Sequence, residues 1–135
     1  MYTKKVQIEA RVLGDLALNH IIPVATRYQS ILVDNLVKIK ALFGDHKSAA
    51  LFGHDMDTIE GISMHMEAIK TEVEAMVEAR KKANGCDNER QKAIMYHDNV
   101  APQMETIRYH IDKLELMVDN EMWPLPKYRE LLFIR

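Results

Sequence analysis

The sequence predicts an all-α fold: an antiparallel three-helix bundle of long, proline-kinked helices with a docked C-terminal tail. Three observations carry that expectation. Apolar residues recur at helical spacing through three long stretches, only short turn-forming segments separate the second from the third, and the last stretch ends at Pro124 and Pro126 before an apolar terminus. The clearest stretch holds Ile59, Ile62, Met66, Ile69, Val73 and Met76 at steps of 3, 4, 3, 4 and 3, an unbroken heptad seam that closes with Ala79. Charged residues such as Glu60, Glu67, Lys70, Glu74 and Glu78 fill the positions between. A helix over residues 58–84 follows, capped by Asp57 with Glu60 and stopped by a left-handed turn at Asn84-Gly85. It is roughly 40 Å long and needs helices of similar length beside it.

In chain order, residues 4–43 read as one long helix, or two joined at a bend, with Leu13, Leu16, Ala17, His20, Ile21, Val24, Tyr28, Ile31, Leu32, Leu36, Ile39 and Phe43 on one broad face. Pro23 interrupts its middle, removing a hydrogen bond and pressing on the carbonyl one turn earlier, so a kink is expected near Asn19 to Ile22. Residues 44–57, bracketed by Phe43-Gly44 and Phe52-Gly53, read as an ordered connection with a helical turn or two at Ser48 to Phe52 and the phenylalanines tucked under the bundle. After Gly85-Cys86, Asp87 offers an N-cap for a helix over residues 87–122, a link short enough to force a helical hairpin. That helix carries Ala93, Tyr96, Val100, Met104, Ile107, Ile111, Leu114 and Val118. It is interrupted near Pro102, which either kinks it or starts a second segment capped by Asn99. The tail, residues 123–135, begins extended at Trp123-Pro124-Leu125-Pro126 and continues into Leu131, Leu132, Phe133 and Ile134.

Composition narrows the function. A chain of 135 residues with a formal net charge of -2 is one domain's worth and has no basic excess to suit nucleic acid or an anionic membrane surface. No apolar run reaches the length of a membrane span and no signal peptide opens the chain, so cytoplasm is the expected compartment. The single cysteine, Cys86, excludes a disulfide framework and a multi-cysteine zinc site. No glutamate has a histidine three residues after it, so the di-iron signature of helical bundles is missing. His20 and His110 fall near apolar faces, while His46, His54, His65 and His97 read as exposed. Asp55-Met56-Asp57 lacks the glycine and terminal glutamate of a calcium loop. There is no phosphate-binding glycine loop and no nucleophile elbow.

Several strings add up to more. Ile8-Glu9-Ala10-Arg11, His20-Ile21-Ile22-Pro23, Met104-Glu105-Thr106-Ile107-Arg108, Asp112-Lys113-Leu114-Glu115 and above all Trp123-Pro124-Leu125-Pro126-Lys127-Tyr128-Arg129-Glu130 run through nearly the whole chain. Together they resemble the C-terminal end of a type III glutamine synthetase, the terminal string being the specific part. The resemblance implies a parent enzyme that joins glutamate and ammonia using ATP and magnesium or manganese, built as a ring-based oligomer. Its catalytic, nucleotide and metal sites would belong to a domain upstream. No position here matches a catalytic motif of that family, so catalytic, cofactor-binding and metal-ligating residues are expected to be absent. The chain is then an excised C-terminal domain with an added start methionine, inactive alone. Its expected partners are the catalytic domain and neighbouring subunits, and its candidate interface residues are Ile59, Ile62, Met66, Ile69, Val73, Met76, Trp123, Tyr128, Leu132 and Phe133. The tail either folds back across the first and third helices or anchors a neighbour. Two other readings stand beside this one: a stand-alone homo-oligomeric coiled-coil module whose seam pairs between chains, and a regulatory module that needs a cavity with convergent polar groups.

Overall fold

The structure, a computed structural model, describes residues 2–124, and every regular element among them is helical. Helix α1 (Tyr2–Leu16) runs through a π-helical turn (Ala17–Ile21) into α2 (Ile22–Phe43). Helix α3 (Asp45–Asn84) returns alongside them. Helix α4 (Glu89–Met95) passes through a second π-turn (Tyr96–Val100) into α5 (Ala101–Met117).

Both π-turns stand directly before a proline, and the reason is local. Pro23 and Pro102 have no N–H to donate, and their rings crowd the carbonyl four residues back. One extra residue in the preceding turn relieves that crowding: the Ile22 N–H donates to the Ala17 carbonyl and the Ala101 N–H to the Tyr96 carbonyl, each five residues back. The apolar series absorbs the extra residue by stepping four twice running, at Leu13, Ala17, Ile21 and again at Tyr96, Val100, Met104, all of them buried. Asn99 therefore caps nothing, since the helical path continues through it.

The expected connection over residues 44–57 is instead almost entirely helix. Gly44 alone breaks the chain, at φ 86°, a left-handed conformation that a side chain would strain. Helix α3 starts at Asp45, so Asp57 lies inside it and caps nothing. Residues 45–57 contain no proline, and lysine, alanine, leucine and methionine there outweigh the glycine at 53. One irregularity remains at Phe52 (φ -125°, ψ 22°), where helical geometry is interrupted beside that glycine. Phe43 is 44% exposed, not tucked under the fold.

Two further ends differ from expectation. Gly85 adopts φ -77° and closes α3 through its N–H to the Lys81 and Lys82 carbonyls, with no left-handed residue. The next N-cap is Asn88, not Asp87: its side chain accepts from the Gln91 N–H at 2.9 Å. Helix α5 stops at Met117, not Met122. Val118 turns extended, and the Met122 and Trp123 N–H groups fold back onto the Asp119 carbonyl.

Helices α2 and α3 run in opposite directions, as do α3 and α5. Gln29 Nε2 donates to the Ile59 carbonyl and to Ser63 Oγ, while Lys40 pairs with Asp45 near the hairpin end. Across the other seam Gly61 faces Met117, His65 faces His110, and Tyr96 Oη donates to Asn84 Oδ1 at 2.6 Å. Gly14 lets α1 approach closely, since a Cβ there would touch Met76 Cε at 3.4 Å. The resulting core joins Val6, Ala10, Leu13, Ile21, Ile62, Ile69, Met76, Tyr96, Ile107 and Leu114.

Candidate functional site

The central seam is sealed within one chain. Ile62 and Ile69 are fully buried, and Met66, Val73 and Met76 nearly so. Ile59, the first seam residue, is only half-buried, because α5 ends near Gly61 and among the described residues α2 alone accompanies the seam beyond it. Trp123 is buried against the core just past α5. Tyr128, Leu132 and Phe133, and with them the docking of the tail, lie outside the described residues.

Ile59 opens instead into a surface groove of about 330 Å³ between the ends of α2 and α3, with Val33, Leu36, Val37 and Met56 as its walls and the Lys40–Asp45 pair (3.5 Å) at one edge. Of its walls Val33, Val37 and Met56 stand exposed, and elsewhere on the same stretch of α2 and α3 so do Ile31, Leu42 and Leu51. Ile31 was expected on the covered face with Val24 and Tyr28. It is instead 55% exposed, although no irregularity separates it from the buried Val24 along α2.

One pair of histidines meets at the core among the described residues, and the residue pattern did not foretell it. His65, read as exposed, is 7% exposed, and His20, read as near an apolar face, lies open to solvent. His65 Nδ1 and His110 Nδ1 are 2.8 Å apart, bridging α3 and α5. One nitrogen must donate and the other accept, so the pair carries at most one charge. Burial above all, then His110 and Lys113, lowers the His65 pKa from its ordinary 6.5. Both histidines sit one position beside a seam residue, Met66 and Ile111, which is the only signal the sequence held. Which two seams meet, and in what register, is a property of the packing.

Nearby, Tyr96 is fully buried except for its hydroxyl bond to Asn84, and burial pushes its pKa above the ordinary 10.0. No group of three or more histidine, cysteine, aspartate or glutamate side chains among the described residues is arranged to hold a metal ion. No described helix is long and apolar enough to cross a membrane. The chemistry within reach among the described residues is thus packing and one imidazole pair, and the open feature is the apolar end of α2 and α3.

Comparison with known proteins bears out the resemblance to glutamine synthetases. The family described as glutamine synthetase C-terminal domain matches residues 1–40. A glutamine synthetase of Bacteroides fragilis (strain YCH46) is 50% identical over 134 residues, 99% of this chain. A type-3 glutamine synthetase of Dictyostelium discoideum is 29% identical over 139 residues, 100% of this chain, and a glutamine synthetase of Butyrivibrio fibrisolvens is 22% identical over 132 residues, 98% of it. The chain spans 18% of the length of each of these relatives.

Proposed function

The chain belongs to the glutamine synthetase family, as a counterpart of its C-terminal domain, and we propose that it serves such an enzyme as a non-catalytic helical domain that joins domains or subunits. The observation that carries this reading is the contrast along α3: a seam closed within the chain from Ile62 to Met76, then exposed apolar walls at Val33, Val37 and Met56. Apolar surface of that kind marks a contact with another protein surface. The reaction of the whole enzyme, ATP-dependent joining of glutamate and ammonia in nitrogen assimilation, is proposed to take place elsewhere in the protein, in the cytoplasm. ATP and magnesium or manganese are proposed to bind there too, since the donor set among the described residues is one histidine pair and scattered surface carboxylates.

The same reading takes the fold as an antiparallel three-helix bundle, with the bends at Pro23 and Pro102 accommodated by the π-turns and Trp123 as the root of a docked tail. The partners are the catalytic domain upstream and neighbouring subunits of a homo-oligomer. A stand-alone coiled coil fits less well, because Ile62 and Ile69, which would have to pair between chains, are already covered within one.

The test is a full-length enzyme carrying Val37→Glu and Met56→Glu. Assembly measured by light scattering is expected to fall apart or loosen, while the melting temperature of the 135-residue chain stays within a degree or two. An enzyme that assembles and turns over normally removes the contact surface from the proposal.

A further inference from the structure

Helix α5 runs along α3 only as far as Met117, which meets Gly61, and there its end closes one end of a channel between α3 and Tyr28 and Leu32 of α2. Beyond that point α3 continues back to Asp45, about 24 Å at a helical rise. The channel therefore goes on without its third wall, as a groove of about 440 Å³ lined by Tyr28, Leu32, His54, Asp55, Thr58 and, at its near end, Met117. This groove lies on the α5 side of the hairpin, opposite the Ile59 groove described above.

We propose that the seat on the α5 side is filled by this chain's own last residues, 125–135. Three observations favour that occupant over any other. The end of α5 forms one end of the groove, and the chain re-enters the core at Trp123 immediately afterwards, so the remaining residues start close by. Eleven residues reach about 36 Å when extended, more than the length of α3 left uncovered. Composition matches as well: the segment carries basic Lys127, Arg129 and Arg135 against one acidic residue, Glu130, together with apolar Leu125, Tyr128 and the run Leu131 to Ile134. The groove offers apolar Tyr28 and Leu32 beside the carboxylates of Asp55 and Asp57, neither of which is ion-paired among the described residues. Pro124 and Pro126 limit the conformations of the free segment, which lowers the ordering cost of docking. This seat lies across α2 and α3, not across the first and third helices, and it closes the channel where α5 leaves off. It stands independently of whether the opposite face joins an oligomer.

The experiment is site-directed cross-linking on the intact chain. Leu132→Cys is placed in a Cys86→Ser background, in which the half-buried Cys86 of the turn gives way to a residue that keeps a donor toward the Asn88 carbonyl. A benzophenone maleimide on residue 132 is photolysed in an equal mixture of isotopically heavy and light chains, and the adducts are mapped. The expected result is adducts within one chain at residues 28–36 and 51–58. Adducts joining heavy to light chains overturn the proposal in favour of an exchanged tail, and adducts only on α1, on α5 or nowhere overturn it outright. A second measurement guards against a perturbed variant: removing residues 125–135 is expected to speed amide exchange about tenfold at 28–36 and 51–58 while sparing residues 62–76. Unchanged exchange in both regions contradicts the proposal. Neither readout involves ligase activity, so failure here leaves the domain assignment untouched.

Discussion

The middle of the molecule and the far end of α2 and α3 use the same helices and the same aliphatic residues, yet one is closed and the other open. In the middle Ile62, Ile69, Ile107 and Leu114 have no exposed surface, whereas at the end Ile31, Val37, Leu42 and Leu51 are 55%, 61%, 75% and 58% exposed. Hydrophobicity does not separate the two regions; the number of neighbouring helices does. Where α1 or α2, α3 and α5 lie side by side, each apolar stripe meets two others. Past Met117 only two helices remain among the described residues, and a stripe wide enough for two partners keeps one side bare. Aliphatic side chains left in that state are what the proposed contact surface rests on, and the chain spans 18% of its relatives' length.

Breaking the closed region should have the largest effect. Ile69→Asp removes a fully buried aliphatic group and places an unpaired carboxylate among apolar neighbours, at a cost of roughly 3 to 5 kcal/mol. Thermal unfolding followed by circular dichroism would show the loss; a shift of only a degree or two means that α3 does not present Ile69 to the core.

Tyr96→Phe probes the same region more gently. It keeps the ring and deletes the hydroxyl that donates to Asn84, a loss of about 1 kcal/mol, because the exposed Asn84 can turn to water instead. Denaturant unfolding should show a lower midpoint at an unchanged slope.

The histidine pair sharpens the comparison through pH. In the folded chain His65 holds its proton less tightly than the ordinary 6.5, so the unfolded state binds more protons as the medium turns acidic. Stability from this group is therefore complete above about pH 6.5 and declines as pH falls through that value toward the lowered one. Facing it are His110 and Lys113 of α5, both of which oppose a second positive charge. The melting temperature should drop between about pH 7.5 and pH 5.5, and His65→Asn should flatten that part of the profile. A wild-type chain whose melting temperature is level across the range has no buried imidazole pair.

At the open end the same kind of substitution should do least to the chain. Val37→Glu changes a side chain that is 61% exposed, and stability is expected to stay within about 0.5 kcal/mol. A loss as large as that at Ile69 means the groove is closed in the free chain and is not a contact surface.

How far the sequence could be read follows the same division. The seam from Ile62 to Met76 was legible because a strict heptad pattern is imposed by the core it serves. So was Tyr96 to Val118, even across Pro102, because burial fixes the spacing whether the turn is α or π. The paired four-residue steps at Ala17 and Val100 were a visible trace of the π-turns, but a proline beside them suggested a kink just as well. Residues 45–57 were misplaced because two glycines look like loop punctuation, although α2 supplies packing enough to offset one glycine within a helix. The histidine contact was invisible because it depends on the register between α3 and α5, a relation between residues 45 positions apart.

The central claim is that the middle of this domain is complete in itself and that the Ile59 face of its α2–α3 end, as proposed above, is completed by the rest of the enzyme. Amide hydrogen exchange, compared between the 135-residue chain and the full-length protein, tests it most directly. Residues 62–76 and 104–114 should exchange equally slowly in both, while residues 33–59 should exchange markedly more slowly in the full-length protein. Equal exchange at residues 33–59 in the two forms, with the full-length enzyme folded and assembled, would contradict the account.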